Sequence, residues 1–179
     1  MKSTDEILEK LTLVDQLEVR PASIVEYYTR NKVHLAPSMP LRGGEFYTEA
    51  FWQKQMLNYK LSLDADRELR FMMLDGDAVI GSIHYDQIIK GPFQACYLGY
   101  SIDREYQGKG LMREALLQTI SQTLSTFGLN RIMANYEPSN QRSGRLLKSL
   151  GFEREGYARK YLKLNGTWKD HILTSYISD

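Results

Sequence analysis

Residues 97–116 read YLGYSIDREYQGKGLMREAL, in which a β-rich run, a short loop with two glycines and an amphipathic segment follow one another. In the last part, Leu111, Ala115 and Leu116 fall on one face of a helix. The first amides of a helix have no partner within it and lie at the positive end of its dipole, and glycines without a Cβ let an anion approach them. The stretch therefore predicts a strand, a loop and a helix that bind a phosphate group at Gly108 and Gly110.

Two common nucleotide-binding loops do not fit this stretch. A Walker A loop requires a glycine where this sequence has Asp103, and a serine or threonine where it has Gly110. A dinucleotide fingerprint requires a third glycine at Arg113 and a parallel βαβ unit, and neither is present. The loop therefore indicates a different phosphate-containing ligand.

The sequence on either side predicts further helices and strands. A short amphipathic segment begins at Ser3-Thr4-Asp5, helical patterns cover residues 23–32, 46–63, 111–124 and 143–150, and strand patterns cover 17–20, 68–74, 78–85, 95–102, 131–136 and a hairpin over 157–177. Asp75-Gly76-Asp77 and Asn165-Gly166 are typical hairpin turns. We expect an α/β (α+β) fold in which four helices pack around a largely antiparallel sheet.

Composition restricts the setting of this fold. A chain of 179 residues with 42% hydrophobic and 25% charged residues is typical of one folded domain, here 1–179 with a core over about 17–177. The net charge of +1 gives no overall attraction to nucleic acid. One cysteine, Cys96, and three histidines without ligand spacing predict no metal site. No run approaches about 18 apolar residues, and residues 1–10 lack a signal-peptide core. We expect a soluble, cytoplasmic protein without a membrane segment.

The residues of the loop resemble the GNAT superfamily of acetyltransferases. The family loop has Gln or Arg, two residues, Gly, one residue, and Gly or Ala; Gln107 to Leu111 fit it, and Met112 departs from it at the last position. Residues 135–140, Ser143, Leu146-Leu147 and Leu150-Gly151-Phe152 resemble the strand, the Asn-led helix and the closing Gly-Phe of that family. The resemblance covers about 17–177. It implies a sheet of about seven strands with about four helices, and acetyl-CoA as cosubstrate.

Within this superfamily the sequence is most similar to the bacterial ribosomal-protein-alanine N-acetyltransferases. Four segments suggest this similarity: residues 31–37, 97–102, 131–136 and 166–171. This resemblance implies transfer of acetyl to the N-terminal alanine of a small-subunit ribosomal protein, with the assembling subunit as a further partner, and the default state is a monomer. Two alternatives stay open: an acetyltransferase for a small amine such as a polyamine, an aminoglycoside or an amino acid, and a ribosome-assembly protein for which acetyl-CoA binding is secondary.

The resemblance also implies the residues of the site. The expected cofactor contacts are Ser101, Ile102, Gln107, Gly108, Lys109, Gly110, Leu111, Met112, Asn140, Ser143 and Leu147. Related enzymes place a Glu base and a Tyr acid where this sequence has Asn135 and Leu147, so that version of the mechanism does not carry over. Ser143 is the candidate acid. A tyrosine or tryptophan side chain such as Tyr100 or Trp168 could line the acceptor cleft, although core packing is expected for most.

An α-amino group needs less help to lose its proton than a lysine does. Its pKa is about 7.7–8.0, against about 10.4 for lysine, so a useful fraction is neutral near pH 7. We therefore expect a water molecule held by Asn135 to take the proton, with Glu105, Glu137 or Asp170 further out.

Overall fold

A computed structural model of the chain describes residues 11–178, so the segment predicted from Ser3 lies outside the described residues. The strands are β1 (Leu11–Asp15), β2 (Leu69–Asp75), β3 (Ala78–Ile89), β4 (Ala95–Ile102), β5 (Arg131–Met133), β6 (Glu153–Leu164) and β7 (Thr167–Ile177). The α-helices are α1 (Pro21–Arg30), α2 (Lys32–Leu35), α3 (Glu49–Asp64), α4 (Leu111–Phe127) and α5 (Gln141–Ser149). None of these helices is long and apolar enough to cross a membrane.

The seven strands form one sheet in the order β1-β2-β3-β4-β5-β7-β6. All neighbours are antiparallel except β4 and β5, which are parallel and are connected through α4. The expected α+β fold with a mostly antiparallel sheet is confirmed. Residues 11–178 contain five α-helices rather than four, because the four-residue helix α2 follows α1 directly.

Hydrophobic side chains alternate between the two faces of the sheet and build a core on each. Met73, Ile83 and Cys96 face the larger core, which α4 and α5 cover with residues such as Leu116 and Leu147. The smaller core lies on the opposite face, where α1 and α3 cover Met72 and Val79. This arrangement follows from the two-residue period of a strand, which sends successive side chains to opposite faces.

The N-terminal strand prediction was wrong. Residues 17–20 do not form a strand: Gln16–Glu18 is a 3-10 turn, and β1 lies before it. The Asp15 carboxylate accepts a hydrogen bond from Leu17 N at 2.7 Å, and Asp15 N donates to Glu18 Oε1 at 3.0 Å. This reciprocal capping box stabilises a turn where the alternation of apolar residues alone favoured a strand.

The predicted hairpin is confirmed, and its turn contacts a distant loop. Asn165 and Gly166 connect β6 to β7 with φ of 44° and 76°, which suits the type I′ turns that Asn-Gly favours. Asn165 N donates to Met39 O at 2.8 Å. The tip of the hairpin is therefore joined to the segment between α2 and α3.

A buried carboxylate fixes the point where β4 ends. Asp103 is 3% exposed and accepts hydrogen bonds from Arg30 Nε (2.6 Å), Asn31 Nδ2 (2.9 Å) and Glu105 N (3.0 Å). In return, Asn31 Oδ1 accepts from Arg104 N at 3.1 Å. The end of α1 and the turn Arg104–Tyr106 are thereby attached to one charged group, directly before the glycine loop.

We expect Asp103→Ala to lower the free energy of unfolding by about 2–3 kcal/mol, because it removes the charged acceptor that Arg30 Nε and the buried Asn31 amide share. Urea unfolding of the purified protein measures this loss. Asp64→Ala is the matched control, since it removes only the exposed ion pair with Lys60, whose contribution is about 0–1 kcal/mol. Equal losses in the two variants would contradict the role given to Asp103.

The same carboxylate makes stability depend on pH. Burial opposes the ionisation of Asp103, but the hydrogen bonds from Asn31, Arg30 and Glu105 N outweigh it and lower its pKa below the ordinary 3.8. Asp103 therefore contributes its full stabilisation when the pH is above the pKa of an aspartate in the unfolded chain. This stabilisation is lost as the pH falls from that value through the lower pKa of Asp103 in the folded state. Asp103→Asn should remove this acid-sensitive part of the stability.

Candidate active site

The sheet opens between β4 and β5. Their parallel pairing covers only Ala95–Tyr97 and Arg131–Met133 among the described residues. Beyond it, β4 continues to Ile102 beside β3, whereas the chain after Met133 follows β7, with Ala134 N donating to Thr174 O at 3.0 Å. The two strands therefore form a fork, defined as the opening between 98–102 and 134–136, in which one edge of β4 has no neighbouring strand among residues 11–178.

The glycine loop lies at the end of β4 and leads into α4. Gly108 and Gly110 have φ of 75° and 76°, and a Cβ built on either would meet no atom within 4 Å. Backbone conformation rather than packing therefore requires glycine here. The first helical hydrogen bond runs from Glu114 N to Gly110 O at 3.1 Å, so the amides of residues 111–113 precede the helical ladder. The loop and these amides can hold an anion.

Gln107 is connected to two residues that sequence reasoning missed. Its Nε2 lies 2.8 Å from His34 Nε2 on α2, and its Oε1 accepts a hydrogen bond from Arg142 Nη1 on α5. Arg142 thus brings a positive charge to the glycine loop from the opposite side of the fork. No local pattern links these positions, which are 35 residues apart for Arg142 and 73 for His34.

Ser143 lies at the fork and faces a tyrosine of β4. Asn140 Oδ1 caps α5 by accepting from Ser143 N at 3.1 Å, and the Ser143 hydroxyl is 2.7 Å from the Tyr100 hydroxyl. Burial raises the pKa of Tyr100 to about 12, against a smaller lowering effect of the Ser143 hydrogen bond. The Tyr100 hydroxyl therefore keeps its proton at neutral pH. Ser101, by contrast, points to the other face, where its hydroxyl contacts Tyr27 and Ser82 at 2.8 and 2.9 Å.

Asn135 lies on the other arm of the fork, and both ends of its carboxamide have protein partners. Oδ1 accepts from Thr174 N at 3.1 Å, and Nδ2 donates to the Tyr161 hydroxyl at 3.0 Å. The three carboxylates expected near Asn135 either have another partner or lie at the surface. Glu137 pairs with Lys169 at 3.7 Å, Asp170 accepts from the Tyr157 hydroxyl at 2.6 Å, and Glu105 is exposed.

A polar strip crosses the face of the sheet opposite α4. His84 on β3 lies against Gly99 on β4, where a Cβ would come within 2.2 Å of His84 Nε2. His84 Nε2 is 3.5 Å from Asp86 Oδ2, and Arg70 contacts both Asp86 and Glu68. Burial, the largest influence, lowers the pKa of His84. Sequence reasoning missed this strip because it depends on the register between three strands.

The remaining predicted residues divide into loop and core positions. Leu111, Met112 and Leu147 are 1%, 6% and 1% exposed and pack in the larger core, so their side chains form the wall beneath the site. Lys109 places its ammonium 5.1 Å from the Tyr106 ring. Ile102 is half-buried at the end of β4.

The aromatic side chains that could line the acceptor cleft differ in their exposure. Trp52 is buried in the smaller core, and its indole nitrogen donates to Phe46 O at 2.8 Å, whereas Trp168 is 56% exposed. Tyr47 and Phe51 pack against the smaller core.

Within residues 11–178, no group of three His, Cys, Asp or Glu side chains could hold a metal ion. Cys96 is buried, and burial raises the pKa of its thiol to about 12.

The glycine loop lies between β4 and the N-terminus of α4, as the resemblance to the GNAT superfamily implied, and the family assignment agrees. The family described as acetyltransferase (GNAT) domain matches residues 19–153. The chain belongs to this family and is an acetyltransferase.

The chain is similar in sequence to two known enzymes and in fold to a third. The chain is 42% identical over 154 residues to the [ribosomal protein uS5]-alanine N-acetyltransferase of Escherichia coli, covering 85% of this chain and 79% of that protein. The crystal structure of the ribosomal-protein-S5-alanine acetyltransferase from Vibrio fischeri superposes with a TM-score of 0.88 at 40% identity, covering 94% of this chain and 92% of that one. A spermidine N-acetyltransferase from Vibrio cholerae is alike in fold alone, with a TM-score of 0.77 at 18% identity over 94% and 96% of the two chains.

Proposed function

We propose that this acetyltransferase moves the acetyl group of acetyl-CoA to the α-amine of an N-terminal alanine, on a protein of the small ribosomal subunit. The observation that carries the proposal is the 42% identity, over 85% of the chain, to an enzyme named for ribosomal protein uS5 and alanine. This chain also has the fork and the glycine loop, which can hold the cofactor in such a reaction. The likeness to the spermidine enzyme supports the fold but gives no support to a small-amine substrate.

The cofactor lies, in this proposal, along the fork and over the glycine loop. Gly108 and Gly110 leave open space above the backbone, and the amides of Leu111 and Met112 point out of the helix N-terminus. This geometry fits a pyrophosphate. Its further contacts are proposed to be Ser101, Ile102, Gln107, Lys109, Asn140, Ser143 and Leu147, and we add Arg142 because it already contacts Gln107. Acetyl-CoA supplies the activated acetyl group when it is bound.

The protein groups must then handle two protons and one developing negative charge. The free edge of β4 near Ser101 and Ile102 provides backbone donors for the oxyanion. Ser143, whose hydroxyl is paired with that of Tyr100, is placed to protonate the departing thiolate. Because Tyr100 keeps its proton, its hydroxyl can donate a hydrogen bond to the Ser143 oxygen and stabilise the negative charge that develops there.

Deprotonation of the acceptor is proposed to use water beside Asn135. An α-amine with a pKa of about 7.7–8.0 needs only a weak base near neutral pH. The Asn135 carboxamide is held rigidly by Thr174 and Tyr161, so it offers a fixed polar surface for that water. An unchanged rate and pH profile in Asn135→Ala would remove this role.

The function is tested by measuring the free thiol released from acetyl-CoA in the presence of a panel of amines. We expect turnover with peptides that begin with a free alanine and none with the N-blocked peptide, a polyamine or an aminoglycoside. Turnover only with a small amine would keep the acetyltransferase but overturn the substrate. Tight CoA binding without acetylation of any amine would favour the ribosome-assembly alternative.

We expect Gly110→Ala to weaken CoA binding by at least about tenfold, because a side chain at this φ strains the loop and covers the anion site. Gly76→Ala is the matched control, since Gly76 also has positive φ (62°) and open space around a Cβ but lies in the β2–β3 turn. Both variants should lose about 1–2 kcal/mol of stability. Calorimetric titration with CoA should separate them, and equal affinities would contradict the proposed loop site.

We expect Ser143→Ala to lower kcat about 100-fold, which is typical for the loss of a general acid. Alanine keeps the backbone amide that Asn140 caps, so α5 should remain folded. The control is Ser149→Ala on the same helix, whose hydroxyl bonds only to Leu146 O. Steady-state kinetics with the alanine peptide measures both. If the two variants had the same kcat, Ser143 would not be the proton donor.

A further inference from the structure

Tyr161 reaches the fork because β6 contains an irregular turn of backbone. The pairing of β6 with β7 shifts register between Ala158 and Leu162, and Lys160 in this interval has φ of 49°. A non-glycine residue in this conformation is strained unless its surroundings hold it. Asp170 does so, since its Oδ1 accepts a hydrogen bond from Lys160 N at 2.8 Å. The Tyr161 ring consequently lies over β7, with its centre 5.3 Å from that of the His171 ring.

The Tyr161 hydroxyl joins three parts of the sheet. It accepts from Asn135 Nδ2 at 3.0 Å, and Tyr97 lies close enough to raise its pKa. Tyr97 is the last β4 residue paired with β5, and Asn135 lies two residues beyond the last paired residue of β5. The hydroxyl of Tyr161 therefore lies where the two strands part, at the closed end of the fork.

The existing hydrogen bond of the Tyr161 hydroxyl determines which further hydrogen bonds it can form. Asn135 Oδ1 accepts from Thr174 N–H, so Nδ2 is the end that faces Tyr161, and an amide nitrogen can only donate. The Tyr161 oxygen is then the acceptor in that bond, so the hydroxyl keeps its own proton and a second lone pair. Burial, followed by the contact with Tyr97, raises the pKa of Tyr161, so the hydroxyl stays protonated at neutral pH.

We propose that Tyr161 binds the acceptor amine: its free lone pair accepts a hydrogen bond from an N–H of the α-amine and directs the nitrogen lone pair into the fork. Asn135 and Tyr97 are positioning residues that fix the Tyr161 hydroxyl. No proton is transferred to Tyr161 in this role. The inference rests on the proposed acetylation of an α-amine, and it assigns the group that orients this amine.

The test compares Tyr161→Phe with Tyr157→Phe. Tyr161→Phe keeps the ring against His171 and removes only the hydroxyl. Tyr157 is the matched control on the same strand, because its hydroxyl bonds to Asp170 on the exposed surface. We expect kcat/KM for the alanine peptide to fall about 10-fold to 100-fold in Tyr161→Phe and to change less than about twofold in Tyr157→Phe.

Three further readouts separate amine binding from a structural role or a proton-transfer role. The KM for acetyl-CoA should be unchanged in Tyr161→Phe, and the thermal unfolding temperature should fall only slightly, since the ring packing remains and only the hydrogen bond with Asn135 is lost. The shape of the pH profile should also be unchanged, because Tyr161 does not titrate in this role. A lower unfolding temperature accompanied by weaker acetyl-CoA binding would overturn the inference, and so would a shifted pH optimum.

The outcomes distinguish this inference from the proposed function. If the wild-type protein acetylates the alanine peptide and Tyr161→Phe does so equally well, only the inference fails. If the wild type accepts only a small amine, the proposed substrate fails, and the same comparison made with that amine decides the role of Tyr161. Wild-type protein that acetylates no amine overturns both.

Discussion

The buried carboxylate of Asp103 is the interaction on which the site depends. A charge in this position is stable only with several donors around it, and Arg30, Asn31 and the amide of Glu105 supply them. These donors come from the end of α1 and from the turn after β4. Because both bind the same carboxylate, the helix and the turn are fixed relative to each other. The glycine loop starts a few residues later, so the position of this turn also determines where the loop and the first turn of α4 lie.

The fork is the second constraint, and it follows from a change of partner between strands. After Met133 the chain exchanges hydrogen bonds with β7 instead of β4, which leaves one edge at the end of β4 without a strand partner in the described part of the chain. Unpaired backbone groups inside a protein are costly unless a ligand or water satisfies them. Polar side chains gather around this gap: Tyr100 and Ser143 on the side of α5, and Tyr97, Asn135 and Tyr161 at its closed end. In the proposed reaction the two groups handle the leaving thiolate and the incoming amine.

Local patterns were predictable where neighbours along the chain decide the structure. The span of β4 was predicted correctly, and so were the Asn165-Gly166 turn and the start of α4 at Leu111. The strand expected over 17–20 was wrong because the capping box of Asp15 and Glu18 outweighed the alternation of apolar residues. The bulge at Lys160 was not predictable, because a positive φ in a lysine depends on Asp170, ten residues away on the paired strand.

The sequence by itself determined the family, the glycine loop and the helix that follows it, because an anion site of this kind needs only residues that are adjacent in the chain. It also located Asn140 and Ser143 at the start of the helix where the structure has them, whereas Asn135 lies two residues beyond β5 and not on the strand predicted over 131–136. Only the tertiary structure decided what these residues face. The pairs Ser143–Tyr100, Arg142–Gln107 and Asn135–Tyr161 join residues 26 to 43 positions apart. Such contacts depend on strand register and helix packing, which the chain acquires only when both cores close.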